Sequence, residues 1–124
     1  MTDATIERII DALAAVRMPA QPEEYDIHAQ VAAALGAAGL PFEHEYKLGP
    51  SCRIDFKVGR VGIEVKKGRP ASAELTMQLR RYLASDALDA VVVVTQRVTR
   101  LPRSIDGKPV CILSLNRLWG VALP

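Results

Sequence analysis

The chain has only two cysteines, Cys52 and Cys111. They stand far apart, with no CxxC pair and no histidine at metal-ligand spacing. Neither a zinc site nor a disulfide framework is indicated, and both read as small buried hydrophobes. No apolar run approaches the roughly 18 to 20 residues needed to span a bilayer. Met1 to Asp11 lacks a basic stretch followed by an apolar core, so a soluble, cytoplasmic protein with no membrane role is expected. Repeats, low-complexity tracts and domain-dividing linkers are also missing. At 124 residues, 49% hydrophobic and 24% charged, the chain fits one domain, 1–124, that buries a core without staples.

The formal charge of +2 hides an uneven distribution. Met1 to Tyr46 holds two basic and eight acidic residues, whereas Lys47 to Lys108 holds thirteen basic and six acidic. A polyanion would be drawn to the middle segment rather than to the chain at large.

Periodicity gives the order helix, helix, three strands, helix, strand, strand. Thr2 to Val16 reads as a first helix with Thr2 or Asp3 as its cap. Pro22 opens a second, whose apolar face carries Ile27, Val31 and Leu35 and which runs to about Ala38, with Gly39 and Pro41 as stop signals. Phe42 to Leu48 is a plausible strand. Arg53 to Val58 and Val61 to Lys66 then alternate strictly around Gly59-Arg60, which reads as a hairpin with a type II′ turn. Ser72 to Ala84 forms a third helix with Leu75, Leu79 and Leu83 in line. Ala90 to Thr95 reads as a strand buried on both faces. A basic loop from Arg97 to Lys108 precedes a strand from Val110 to Leu115, and Trp119 to Leu123 is a short tail.

The two-residue loop sets Asp55 directly across from Glu64. Strict alternation sends Ile54, Phe56, Val58, Val61, Ile63 and Val65 to one side and Asp55, Glu64 and Lys66 to the other. Opposed side chains have Cβ atoms roughly 4.5 to 5.5 Å apart, so the carboxylates repel unless a hard cation such as Mg²⁺ or Mn²⁺ bridges them. Lys66 would then hold its ammonium near the same site. The alternative is a solvated polar face on which Lys66 merely neutralises Glu64. In the second helix Glu24 projects between Ile27 and Val31, in the centre of the packing face. Its alternative is an exposed first-turn acid favoured by the helix dipole, and Glu23 beside it leaves the assignment open by one residue. In the third helix Gln78 and Tyr82 flank the leucine stripe, where they could bond a phosphate or the lysine. Equally, Tyr82 reads as a core edge with a wet hydroxyl.

Ile54-Asp55, then Glu64-Val65-Lys66, between an upstream helical acid and a downstream Gln78-x-x-x-Tyr82, resembles the PD-(D/E)xK nuclease superfamily. The likeness covers about Glu24 to Thr95, with Ile54 in place of the proline. The Gln-x-x-x-Tyr element resembles RecB-type nucleases, and the small layout is similar to Holliday junction resolvases and phage-encoded nucleases. The resemblance implies a restriction-endonuclease-like α/β fold, a mixed sheet flanked by helices. It also implies a divalent-metal-dependent deoxyribonuclease using Mg²⁺ or Mn²⁺. Asp55, Glu64 and the carbonyl of Val65 would ligate the metal, and Glu24 would complete a second metal or water site. Lys66 would position the attacking water, with Gln78 and Tyr82 as supports. Lys57, Lys67, Arg69, Arg80 and Arg81, with Arg97, Arg100 and Arg103, would hold the strand, although about half of such residues belong to ordinary solvated surface. A branched or single-stranded DNA substrate in recombination, repair or phage replication fits this layout. A homodimer, or association with a helicase or recombination protein, would supply the missing contact area. The rivals are a non-catalytic nucleic-acid-binding or assembly module on the same fold, and an α/β protein whose hairpin charges are accidental.

Overall fold

The computed structural model describes residues 2–14, 16, 23–97 and 99–115, apart from the side chains of Glu24 and Tyr25. Pro22 and the tail from Trp119 to Leu123 lie outside the described residues. The elements run α1 (Thr2–Leu13), α2 (Glu24–Ala37), β1 (Glu43–Gly49), β2 (Cys52–Val58), β3 (Val61–Lys66), α3 (Ser72–Leu83), β4 (Ala90–Thr95), β5 (Ser104–Ile105) and β6 (Lys108–Ser114). They build a mixed α/β structure around a six-stranded sheet of order β1-β2-β3-β4-β6-β5. The first three strands meander antiparallel, β3, β4 and β6 are parallel, and β5 returns antiparallel on β6. Among the described residues, no helix is long and apolar enough to cross a membrane.

Local chemistry sets most of the element ends. Past Ala38, Gly39 takes φ +71°, and its N–H reaches the Gly36 carbonyl while Leu40 N–H reaches that of Leu35. This Schellman closure needs a residue free to be left-handed. At the start of α2, Glu23 N–H donates to the Asp26 carboxylate at 3.0 Å, one arm of a capping box. Between β2 and β3, Gly59 has φ +58° while Arg60 does not share the positive φ, as a type II′ turn demands.

Two element assignments are corrected. Helix α1 ends at Leu13 instead of Val16, although Val16 is still buried against the core. The supposed basic loop contains a hairpin, because Asp106 and Gly107 take φ +52° and +79° and join β5 to β6 by a tight turn. Two successive left-handed residues are what a type I′ turn requires, and an Asp-Gly pair supplies them at low strain.

The sheet separates two apolar layers. On one face Ile6, Ile9 and Leu13 of α1, with Ile27, Val31 and Leu35 of α2, pack over Phe56, Ile63, Val65 and Val92. On the other, Leu75, Leu79 and Leu83 of α3 pack over Ile54, Val91 and Val93. All six residues of β4 are buried between these layers.

Ile54 overturns the strict alternation read from the sequence. It lies on the α3 face, whereas Phe56, two residues on, lies on the α1/α2 face. The paired strand β1 breaks in step. His44 pairs with Phe56 and stacks on its ring, while Tyr46 pairs with Ile54 and joins the α3 layer. Between them Glu45 holds φ +55°. Both strands therefore switch faces at the level of Asp55. Gly62 makes room for the displaced Ile54, since a Cβ there would sit 2.4 Å from Ile54 Cδ1 and 3.0 Å from Leu88 Cδ1.

This crowding is measurable. Gly62→Ala should destabilise the protein by about 1–2 kcal/mol in denaturant unfolding, as overpacking does. Ile54→Val deletes the clashing methyl, so Gly62→Ala should cost markedly less in that background. Additive costs would show that Ile54 does not occupy the space over Gly62.

Candidate active site

The ladder between β2 and β3 runs from Val58↔Val61 through Lys57↔Gly62 to Phe56↔Ile63 and goes no further. Beyond it Asp55 turns into the seam, and its Oδ2 accepts the Val65 N–H at 2.8 Å. In a continued ladder that N–H would serve a β2 carbonyl. The seam is held open by a side chain, and Asp55 and Glu64 face each other across it. Asp55 N–H also approaches Glu64 Oε1, at 3.4 Å.

Glu64 projects from β3 toward α3 and is only 3% exposed. Its Oε2 accepts the Tyr82 hydroxyl at 3.0 Å and stands 3.3 Å from Lys66 Nζ. Glu64 is therefore not on a solvated face and the Tyr82 hydroxyl is not wet, while the ion pair with Lys66 is the neutralisation that the alternative reading of the hairpin also expects. Burial, and then the charge of Asp55, push the Glu64 carboxyl up to about 7. Lys66 and the Tyr82 hydroxyl pull the other way without compensating. Burial, and then Glu64, raise the Tyr82 phenol, which stays protonated and able to donate.

Lys66 and Gln78 share the wall of a hollow of about 500 Å³ between the end of β3 and α3, completed by Lys67, Pro70, Ala71, Glu74, Leu75 and Arg81. The hairpin and helix residues Asp55, Glu64, Lys66 and Tyr82 thus meet at one place, with Gln78, Lys67 and Arg81 beside it. The Glu24 side chain lies outside the described residues, so its expected role stays with the resemblance. Lys57 is held elsewhere, 3.8 Å from a Glu43 oxygen and with its ammonium 4.9 Å from the Tyr46 ring centre. Lys67 pairs loosely with Glu23 at 3.8 Å. Among the described residues, Arg69, Arg80, Arg81, Arg97, Arg100 and Arg103 form no ion pair with a carboxylate. Cys52 and Cys111 are free and only half-buried, on opposite faces of the sheet.

Sequence reasoning missed His28. Its Nε2 lies 3.5 Å from Asp55 Oδ2 and is buried without a hydrogen-bond partner, while its Nδ1 meets His44 Nε2 at 3.1 Å. The available signal was its place one helical turn after position 24. Among the described residues, no three His, Cys, Asp or Glu side chains already stand as a metal cage. The assembled set is two carboxylates with one imidazole beside Asp55. Comparison with known protein families, with characterised proteins and with solved structures finds no match for this chain.

The raised Glu64 carboxyl sets a pH dependence. Between the ordinary value of 4.5 and about 7 the folded protein holds a proton that the unfolded chain releases. The contribution is therefore fully present below the ordinary value and is lost as pH rises through about 7, with a span of about 3 kcal/mol. Metal-free protein should melt at a lower temperature at pH 8 than at pH 5.5, and Glu64→Gln should flatten that difference. An unchanged slope in the variant would place the titration elsewhere.

Proposed function

We propose that this chain is a divalent-metal-dependent nuclease of the PD-(D/E)xK type, hydrolysing phosphodiester bonds in DNA on a restriction-endonuclease-like fold. The observation that carries the reading is the convergence of Asp55 and Glu64 across an opened seam, with Lys66 on Glu64 at 3.3 Å. The order helix, three strands, helix, strand supports it, as does the sheet's passage from an antiparallel hairpin to parallel strands.

The residues fit a hard cation, Mg²⁺ or Mn²⁺. Two facing carboxylates repel in a buried site, and the unpartnered Nε2 of His28 is a further donor beside Asp55. Asp55 and Glu64 would hold the ion with the Val65 carbonyl as an additional ligand; His28 would add its nitrogen to Mn²⁺, whereas Mg²⁺ would keep to the oxygens. When bound, it supplies Lewis-acid stabilisation of charge on the phosphate oxygens. Lys66 presents its ammonium at the mouth of the hollow, where it orients water and neutralises developing charge. Tyr82 fixes the rotamer of Glu64 by donating to it. Gln78 offers an amide to a phosphate, and Lys67 and Arg81 draw the polyanion in. Structure-selective cutting, by a homodimer or with a helicase or recombination partner, is part of the same proposal.

The purified protein is incubated with supercoiled plasmid, linear duplex, single-stranded DNA, a four-way junction and RNA, in Mg²⁺, Mn²⁺ or EDTA. Cleavage of a DNA substrate is expected with metal and not with EDTA, and Asp55→Ala and Lys66→Ala should each lower it by about 10²-fold or more. Cleavage that survives either substitution overturns the mechanism. Binding without cleavage under every condition favours the non-catalytic module.

A further inference from the structure

The stretch after β4 lies against the stretch after β3, joined by four hydrogen bonds. Gly68 N–H donates to Gln96 Oε1 at 2.6 Å, and Arg97 N–H to the Gly68 carbonyl at 3.1 Å. The Thr99 hydroxyl donates to the Pro70 carbonyl at 3.0 Å, and the Ser72 hydroxyl to the Arg100 carbonyl. Gln96 and Thr99 are buried, so the two bonds made by their side chains are partly shielded from competing water, whereas the Ser72 bond is exposed. Two loops that follow neighbouring parallel strands are thereby locked into one body at the rim of the hollow, which Pro70 and Ala71 help to line.

That body concentrates charge of one sign. Arg69 sits on one loop and Arg97 and Arg100 on the other, all exposed, and none forms an ion pair with a described carboxylate. Among the described residues, Glu74 is the one acid in the lining of the hollow. Holding cations together on a fixed backbone is unfavourable until an anion arrives, and the fixed backbone spares the bound state the entropy of ordering two loops.

We infer that the stitched loops form a second binding wall, in which Arg97 and Arg100 grip the phosphate backbone of a nucleic-acid strand beyond the one held at Lys66. This rests on the reading of the hollow as the place where a nucleic acid is cut, but it concerns binding and not turnover. The fit is to a polyphosphate chain, since guanidinium groups bond phosphate oxygens in pairs, and among the described residues the large hydrophobic that stands exposed is Met77, on α3 and not on these loops.

The test reads binding in EDTA, where nothing is cleaved. Fluorescence anisotropy of a labelled single strand and a labelled duplex is followed against salt for the parent protein, Arg97→Ala/Arg100→Ala and the control Arg53→Ala. Arg53 pairs with Glu45 at the far side of the hairpin and should leave binding unchanged. The double variant should keep its melting temperature, bind about tenfold more weakly at moderate salt, and show a salt slope shallower by about 1.4 for a single strand or about 1.8 for a duplex. Equal affinity and slope for parent and double variant overturn the inference, as does failure of the parent to bind either DNA. Stronger arginine-dependent binding to phosphatidylserine vesicles than to DNA overturns it in favour of a membrane surface. Arginine-dependent DNA binding by a protein that never cleaves would sustain the inference and remove the nuclease reading alone.

Discussion

The bond from the Val65 N–H to the Asp55 carboxylate organises the site. A strand amide in the middle of a sheet must find an acceptor, and here a side chain replaces the neighbouring strand's carbonyl. The substitution opens the seam between β2 and β3 and brings Asp55 up to Glu64. It also coincides with the face switch of Ile54 and of its partner strand at Glu45, for which the absence of a side chain at Gly62 leaves room. Were the ladder to continue, Asp55 would stand on an ordinary pleat and the carboxylates would be neighbours without a shared cleft.

Around this seam the protein divides its faces. Among the described side chains the α1/α2 layer is mostly apolar, and the polar one that reaches the seam from it is His28. The α3 layer is apolar toward the middle of the sheet and turns polar where β3 ends, with Gln78, Arg81 and Tyr82 following one another along the helix toward its C-terminus. Glu64 lies at that boundary. Its proton affinity is raised because burial and Asp55 outweigh Lys66 and Tyr82. An acid poised in this way is strained electrostatically as the protein stands; one proton neutralises one of the two carboxylates, and a divalent cation would neutralise both.

Much of this was legible in the sequence. The bounds of β3 and β4, the turn at Gly59, the stop at Gly39 and the leucine stripe of α3 follow from signals that act within a few residues. The convergence of Asp55, Glu64 and Lys66 was legible for the same reason, since a two-residue turn leaves only one register. The β5–β6 hairpin was also written locally, in Asp106-Gly107, but a run of arginines and prolines masked it. The half-buried state of the cysteines and the engagement of Lys57 by Glu43 and Tyr46 carried no local signal.

The sequence by itself determined which residues could meet across the hairpin, because turn length and period-two alternation are short-range and nearly rigid. Only the tertiary structure decided how they meet. The opened seam, the switch of Ile54, the burial of Glu64 beneath Tyr82 and the approach of His28 all depend on helices packing against the sheet from separate parts of the chain. Such contacts are fixed by the collective filling of the two cores, and no pattern within a window of neighbouring residues encodes them.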